Sequence, residues 1–272
     1  MTGLQRIIKY LALAFAACLI FGILSGIAQC FGWLLSAFGL TDDSVQSLAE
    51  DSTFAVDGDV SELDISLTAS SLHIARGDCW SVTTDSGYVT VSQAEGTLKV
   101  REKSRFTRFH AGKTHVVLTV PDDAELKRVS MESGAGRITV DALCTDVLHM
   151  ELGAGEAKVD HLTVTKQADI EGGAGEITLR HAALNHLELN MGVGELSLNA
   201  ALTGKSSIDF GVGSARLMLD GAKEDYSISL DKGIGEATLD GEQMKDGETY
   251  GRGANILEMD GGIGEIVINC AG

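Results

Sequence analysis

Carboxylate side chains recur at a fixed position in the second half of this chain. Seven times after residue 130 the sequence reads Gly–apolar–Gly, and a glutamate usually follows the second glycine. The residues at this position are Arg137, Glu156, Glu176, Glu195, Ser214, Glu236 and Glu265. If the repeats stack as β-strands, the carboxylates of Glu156, Glu176 and Glu195 lie about 4.8 Å apart and repel each other. Such a ladder is either a solvated face or a row of weak calcium sites, and we favour the solvated face.

Other patterns that could bind a metal or cofactor fail in their details. Residues 171–179 match the glycines of the calcium-binding repeat GGxGxDxUx, but Ile177 stands where that repeat needs aspartate. The Gly-x-Gly pairs recur seven times between strands, whereas a dinucleotide-binding turn occurs once before a helix. The histidines show no metal-ligand spacing, and we expect His161 and His181 to stack on the surface. We therefore predict no cofactor and no metal site apart from the less favoured ladder.

Signatures of catalysis are also missing from the sequence. It contains no GxSxG, no HExxH and no pair of carboxylates placed to form a cleft, so we predict a protein that is not an enzyme. A polysaccharide-active β-helix enzyme is a less favoured alternative, because the regular repeats leave no long loops between residues 130 and 241. Cys79, Cys144 and Cys270 are odd in number and far apart, so we expect free thiols.

The repeat itself predicts the architecture. Successive first glycines are 19, 20, 19, 19, 22 and 29 residues apart, and such a period is typical of a solenoid in which each turn, or rung, packs on its neighbours. The glycines, which we interpret as structural turn residues, are Gly134, Gly136, Gly153, Gly155, Gly173, Gly175, Gly192, Gly194, Gly211, Gly213, Gly233, Gly235, Gly262 and Gly264.

The residues around each glycine pair alternate between apolar and polar, as Leu187, Leu189, Leu196 and Leu198 do in one repeat. A period of two indicates β-strands. The glycines permit a corner with positive φ or close backbone contact, and we expect the apolar residue between them to fill the inside of that corner. The prediction is an all-β fold: a single-chain parallel β-solenoid (β-helix) with rungs of about 20 residues, preceded by one transmembrane helix.

Four segments are predicted along the chain. They are a cytoplasmic tip with a membrane anchor (1–41), a linker (42–54), degenerate repeats (55–128) and the regular solenoid (129–272). Two stretches interrupt the rhythm. We expect the basic residues 102–114 to form a loop, and residues 241–255 to form a hairpin or loop that leaves the rung.

The predicted anchor is an uncharged run from Tyr10 to Thr41, longer than the roughly 20 residues that span a bilayer. Arg6 and Lys9 precede it, which favours a single-pass protein of the cell membrane with a cytoplasmic N-terminus and an extracytoplasmic solenoid. A cleaved signal peptide is a less favoured alternative, because its apolar core is shorter. A lipoprotein site at Cys30 fits poorly, because Gln29 stands where a small residue is required.

The net charge of the chain after position 41 restricts the kinds of molecule that it can bind. After position 41 the chain has 39 acidic and 19 basic residues, which gives this part a net charge of −20. Such a surface argues against nucleic acid and tight binding to anionic lipid, and it favours cations or basic partners. The ligand and the oligomeric state stay open, and a homo-oligomer is one possibility.

The stretch LTVPDDAELKRVSMESGAGRITVDAL (118–143), with Val120 and Pro121 before the regular repeats, resembles the putative-adhesin family of bacterial β-strand-repeat envelope proteins. The likeness extends over roughly residues 55–270 and implies a non-catalytic envelope protein, with some relatives linked to envelope stress responses. We therefore expect a membrane-anchored extracytoplasmic binding or scaffold protein with an unknown envelope or surface ligand. The alternative is a surface adhesin that binds host or matrix ligands.

The charge asymmetry around the anchor predicts that residues 42–272 lie outside the cytoplasm. Protease added to intact protoplasts should therefore degrade this part of the chain, with a cytoplasmic protein as the protected control. Cleavage that requires lysis would contradict the predicted orientation.

Overall fold

The computed structural model describes residues 52–56, 59–103 and 114–271, and most of them form strands. The strands are β1 (Ser52–Ala55), β2 (Glu62–Leu67), β3 (Ser71–Gly77), β4 (Ser81–Thr84), β5 (Val89–Ala94), β6 (Thr97–Glu102), β7 (His115–Pro121), β8 (Leu126–Asn185), β9 (Leu187–Thr203), β10 (Lys205–Asp220), β11 (Tyr226–Leu239), β12 (Glu242–Gln243), β13 (Thr249–Gly251) and β14 (Asn255–Ala271). A 3₁₀ turn covers Lys223–Asp225. No helix among the described residues is long and apolar enough to cross a membrane, and the predicted anchor lies outside them.

Parallel pairing in register builds the predicted solenoid. Strand β8 runs through three rungs, and β9 and β10 add one rung each. Gly175 pairs with Gly194 and Gly194 with Gly213, so equivalent positions of successive repeats lie side by side. The prediction of an all-β parallel solenoid is confirmed.

Chain order and stacking order differ at the C-terminal end. Strand β14, the last in the sequence, lies between β10 and β11 and pairs in parallel with both. The chain thus leaves a gap of one rung after β10, forms β11, and returns to fill the gap. Strands β12 and β13 pair antiparallel with the outer edge of β11, so residues 241–255 form an edge cover and a return path. This detour accounts for the long last interval between glycine pairs.

The N-terminal end has the same kind of detour. Strands β2 and β3 form the rung beside the first turn of β8, and β6 and β7 form the next rung outward. Antiparallel β5 covers the edge of β6, β4 covers β7, and β1 covers β4. Both ends of the parallel stack are therefore covered by antiparallel strands, which limits the unpaired edge available to other chains.

One continuous apolar core runs through the stack. The residues predicted to face inward are buried, from Leu63 and Ile74 near one end to Leu239 near the other. Small residues such as Ala157, Ala215 and Ala237 occupy inward positions just after the corner, where the rung is narrow. The interior is filled by side chains, as expected for rungs of this length.

Glycine is required at the corner because neighbouring backbones nearly touch. A Cβ atom on Gly194 would overlap the carbonyl oxygen of Gly175 in the adjacent rung, and its φ of +146° is unfavourable for any L-residue with a side chain. Gly192 lacks the positive φ, but a Cβ there would lie 2.5 Å from the carbonyl oxygen of Gly173. The first glycine of a pair is thus required by close contact, and the second, from Gly175 onward, is required by both close contact and positive φ.

The apolar residue between the glycines does not fill the inside of the corner, so that expectation is wrong. Its side chain points outward, and Val193 and Ile234 are 54% and 68% exposed. In three of the rungs the residue before the first glycine is buried inside the corner instead, namely Leu152, Met191 and Phe210. Several consecutive residues at the corner are outward, so the strict alternation used to assign the faces does not hold there.

Substitution at the corner should cost more than substitution on a strand face. Gly194→Val adds a Cβ against the neighbouring backbone at positive φ, which alone costs on the order of 1–3 kcal/mol, whereas Ser197→Val changes an exposed outward position. Chemical denaturation of both variants and the wild type measures the difference in unfolding free energy. Equal losses would contradict the role assigned to the glycine.

Candidate functional site: the acidic corner

The surface with the most unusual composition runs along the glycine corner of the solenoid. The outward residues between the glycines form a column that we call the corner ridge. In stacking order these residues are Ala135, Ala154, Ala174, Val193, Val212, Ile263 and Ile234. The ridge therefore changes from small alanines near the N-terminal end to exposed valine and isoleucine near the C-terminal end.

A shallow groove of about 590 Å³ runs beside the corner ridge. Glycines such as Gly173 and Gly192 form its floor, and the edges of Met191 and Phe210 form an apolar wall. Its rim belongs to a mostly acidic column two residues before the first glycine, of which Glu151, Glu171, Asn190, Asp209 and Asp260 line the groove. In stacking order the whole column comprises Glu132, Glu151, Glu171, Asn190, Asp209, Asp260 and Asp231. Sequence reasoning did not single out this column, although its fixed position before the glycine is visible in the repeats.

The predicted ladder lies on the other side of the corner ridge. Glu176 pairs in register with Glu195, and Glu156 lies in the rung before them. Beyond Glu195 the column continues through Ser214, Glu265 and Glu236, so its last two carboxylates are in reversed chain order. Acidic columns thus follow the ridge on both sides.

The members of the ladder differ in their surroundings. Lys158 pairs with Glu156, and the Arg137 guanidinium donates to Glu156 Oε2 at 2.8 Å. The hydrogen bond from Lys158 and the positive charge of Arg137 hold the pKa of the Glu156 carboxyl below its ordinary value. Glu176 accepts a hydrogen bond from Thr178 Oγ1 at 3.1 Å. The N-terminal end of the ladder is therefore closely paired with cations, whereas at the C-terminal end Arg216 Nη2 lies 3.9 Å from Glu265 Oε2.

A second acidic depression of about 530 Å³ lies at the C-terminal end, near β11 and β14. Asp209, Asp260 and Asp231 occupy one register position in three adjacent rungs there. Asp246 accepts a hydrogen bond from the backbone N–H of Lys232 at 2.8 Å. In the part of the chain that the structure describes, no group of three His, Cys, Asp or Glu side chains has the arrangement of a metal site.

The remaining candidates from the sequence lie apart from the corner. His161 and His181 stack with ring centroids 4.8 Å apart, which confirms the predicted surface pair. His149 Nδ1 lies 3.1 Å from Asp169 Oδ2. Cys79, Cys144 and Cys270 are free thiols, as expected.

A search of the curated proteins finds no match to this chain, whereas several solved structures resemble it. A crystal structure of a putative adhesin from Bacteroides fragilis NCTC 9343 is 15% identical, covers 83% of this chain and 98% of its own, and has a TM-score of 0.42. A crystal structure of a putative lipid binding protein from Parabacteroides distasonis ATCC 8503 is 15% identical to this chain. The match covers 84% of this chain and 99% of that protein's chain, with a TM-score of 0.38. A crystal structure of a putative cell adhesion protein from Clostridium sporogenes ATCC 15579 is 13% identical to this chain. The match covers 83% of this chain and 100% of that protein's chain, with a TM-score of 0.34.

The family model described as Toastrack DUF4097 matches residues 81–255, which include most of the rungs and the corner. This match confirms the family resemblance inferred from the glycine repeats and the Val120–Pro121 step. The chain belongs to the Toastrack DUF4097 family.

Proposed function

We propose that this protein is a non-catalytic binding protein of the bacterial cell envelope, and that the acidic corner is its binding surface. One observation carries the proposal: Val193, Val212, Ile263 and Ile234 are exposed side by side at 43–68%, on a stack of paired strands. Contiguous apolar surface with a polar rim is typical of interaction sites. The acidic columns on both sides favour a partner that combines apolar and cationic groups.

We further propose that this surface acts outside the cytoplasm. Residues 1–41 hold the protein in the cell membrane, and the solenoid presents the corner outside the cytoplasm as a scaffold or as a sensor of envelope stress. The uncharged run from Tyr10 to Thr41 and the basic residues before it support this placement. Both grooves are shallow and lie along repeated rungs, which suits an extended ligand better than a small substrate.

A surface adhesin for host or matrix ligands is the second candidate. The ridge continues along the stacked rungs, so it fits an extended macromolecule on another cell as well as one in the same envelope. A polysaccharide-active enzyme is less favoured, since the carboxylates follow columns along the stack and do not face each other across a cleft.

Polar substitution in the corner ridge should weaken binding. We expect Val212→Ser with Ile263→Ser to reduce the capture of labelled envelope vesicles by the immobilised full chain, because the apolar contact is removed. Met218→Ser with Ile256→Ser is the matched control, since both residues are 40% exposed and lie away from the corner. Capture of labelled host cells or matrix protein instead of envelope vesicles would favour the adhesin. Equal capture by both variants would contradict a role for the corner.

The carboxylate ladder should act as a charged face and not as a calcium site. Glu176→Gln with Glu195→Gln should leave the melting temperature unchanged or raise it, because like-charge repulsion is removed. Millimolar calcium at fixed ionic strength should change neither protein. A calcium-dependent rise in the wild type that this double variant lacks would establish cation binding by mass action.

Glu156→Gln serves as the contrasting variant, because its carboxylate is paired with Lys158 and Arg137. The lowered pKa means that the folded state binds the proton less readily than the unfolded state does. The contribution of this ion pairing to the free energy of unfolding is present above the pKa that Glu156 has in the unfolded state. It is lost as the pH falls through the pKa of the folded state. The wild type should therefore exceed Glu156→Gln in melting temperature at neutral pH, and the difference should shrink in acid.

A further inference from the structure

The C-terminal half of the corner ridge exposes a row of four aliphatic side chains. Val193, Val212, Ile263 and Ile234 occupy four adjacent rungs and pair in register. Their exposed fractions lie between 43% and 68%. Because neighbouring strands are about 4.8 Å apart, the row is about 14 Å long, which is three such spacings. A partner that covers it therefore needs apolar side chains along a line of that length.

Exposed carboxylates lie on both sides of this row. In the same four rungs, the position two residues before the first glycine is occupied by Asn190, Asp209, Asp260 and Asp231. The position after the second glycine is occupied by Glu195, Ser214, Glu265 and Glu236. All six carboxylates are exposed, and among the described residues only Glu265 has an ion-pair partner, Arg216 Nη2 at 3.9 Å. The row therefore fits a partner that carries cations on both of its flanks.

The N-terminal half of the ridge lacks both of these properties. Its ridge residues are alanines, which offer little apolar surface. Beside them, the Glu156 carboxylate is already paired with Lys158 and Arg137. The contact with a partner is therefore confined to the rungs from Val193 to Ile234.

The spacing of the row distinguishes between the possible conformations of a polypeptide partner. In an α-helix, side chains at i, i+3, i+7 and i+10 lie on one face and span about 15 Å. In an extended strand, four side chains on one face span about 20 Å, because every second residue advances roughly 6.6 Å. The helix therefore matches the row to within about 1 Å, whereas the strand exceeds it by about 6 Å.

The width of this surface also fits a helix. Along the chain, each acidic column is two or three residues from the ridge, which is at most roughly 10 Å at 3.3 Å per residue. A helix with its side chains is about 10–12 Å across, so the residues that flank its apolar stripe lie above both columns. Lysine and arginine have long apolar stems that pack along the stripe while their charged groups reach sideways to the carboxylates.

We propose that this half of the corner ridge binds a cationic amphipathic α-helix that belongs to a partner protein. Apolar residues of the helix at i, i+3, i+7 and i+10 lie on the row from Val193 to Ile234. Lysine or arginine residues on one flank of the helix face Asp209, Asp260 and Asp231. Those on the other flank face the glutamate column. This inference rests on the proposed function, because it specifies the partner that the corner binds.

Synthetic peptides of about 14 residues, long enough to cover the row, serve as probes. The first contains leucine, lysine and alanine, with leucine at i, i+3, i+7 and i+10 and lysine on both sides of this stripe. The second has the same composition but places leucine at every second residue, and the third has the helical pattern with glutamate in place of lysine. Fluorescence anisotropy with the purified full chain should show the tightest binding for the first peptide, and added salt should weaken it.

Variants of the ridge and of the acidic column test each half of the contact. Val212→Ser with Ile263→Ser should lower the affinity for the helical lysine peptide by at least about tenfold, because two buried aliphatic contacts are lost. Met218→Ser with Ile256→Ser, the matched control away from the corner, should leave the affinity unchanged. Asp209→Lys with Asp260→Lys should lose the lysine peptide and gain the glutamate peptide, a gain that a misfolded variant would not show.

Equal affinity for the helical and the alternating lysine peptide would overturn the proposal, as would full affinity in the variant that lacks Val212 and Ile263. The capture of envelope vesicles separates this inference from the proposed function. If no peptide binds but vesicle capture still requires Val212 and Ile263, the helical partner is wrong and the binding role of the corner stands. If vesicle capture is also independent of these residues, both the inference and the proposed function are wrong.

Discussion

The close approach of backbones at the corner is the constraint on which this fold depends. Equivalent glycines of adjacent rungs lie so near to each other that a Cβ on Gly194 or Gly213 would overlap the carbonyl of the rung before. Close stacking of the rungs leaves no room for a side chain at the two glycine positions, and the core beside the corner is filled by apolar side chains. The residue between the glycines faces outward, and its column forms the exposed ridge.

The same repetition that stabilises the stack concentrates charge along it. In-register pairing places any residue type that recurs in the repeat into a column, whether it is buried or exposed. At Glu156 the resulting repulsion is relieved by Arg137 and Lys158. Toward Glu236 and Glu265 the described residues offer little such relief, and the largest aliphatic residues of the ridge occur at this end. Charge and exposed apolar surface therefore coincide at the C-terminal half of the corner.

Much of this arrangement could be predicted from the sequence, because period-two alternation and a 19- to 20-residue repeat permit few folds. The repeat period predicts the columns of glycines, and the alternation predicts which residues face the core. The outward direction of Val193 is not predicted, because alternation fails where several consecutive residues stay outside the core. The order of the last two rungs could not be predicted, because the repeats at Gly233 and Gly262 have the same Gly–apolar–Gly–Glu pattern. Only the long interval between them indicated a detour.

The position of β14 between β10 and β11 has a consequence for how the chain is made. In most solenoids a ribosome can release one finished turn after another, and each new turn docks on the last. Here β11 emerges before its stacking partner exists, and only its antiparallel cover can form in the meantime. The final seventeen-residue strand closes the stack. A chain cut short before residue 255 would therefore lack the strand that pairs with both β10 and β11, and its last turn would have no parallel partner in the stack.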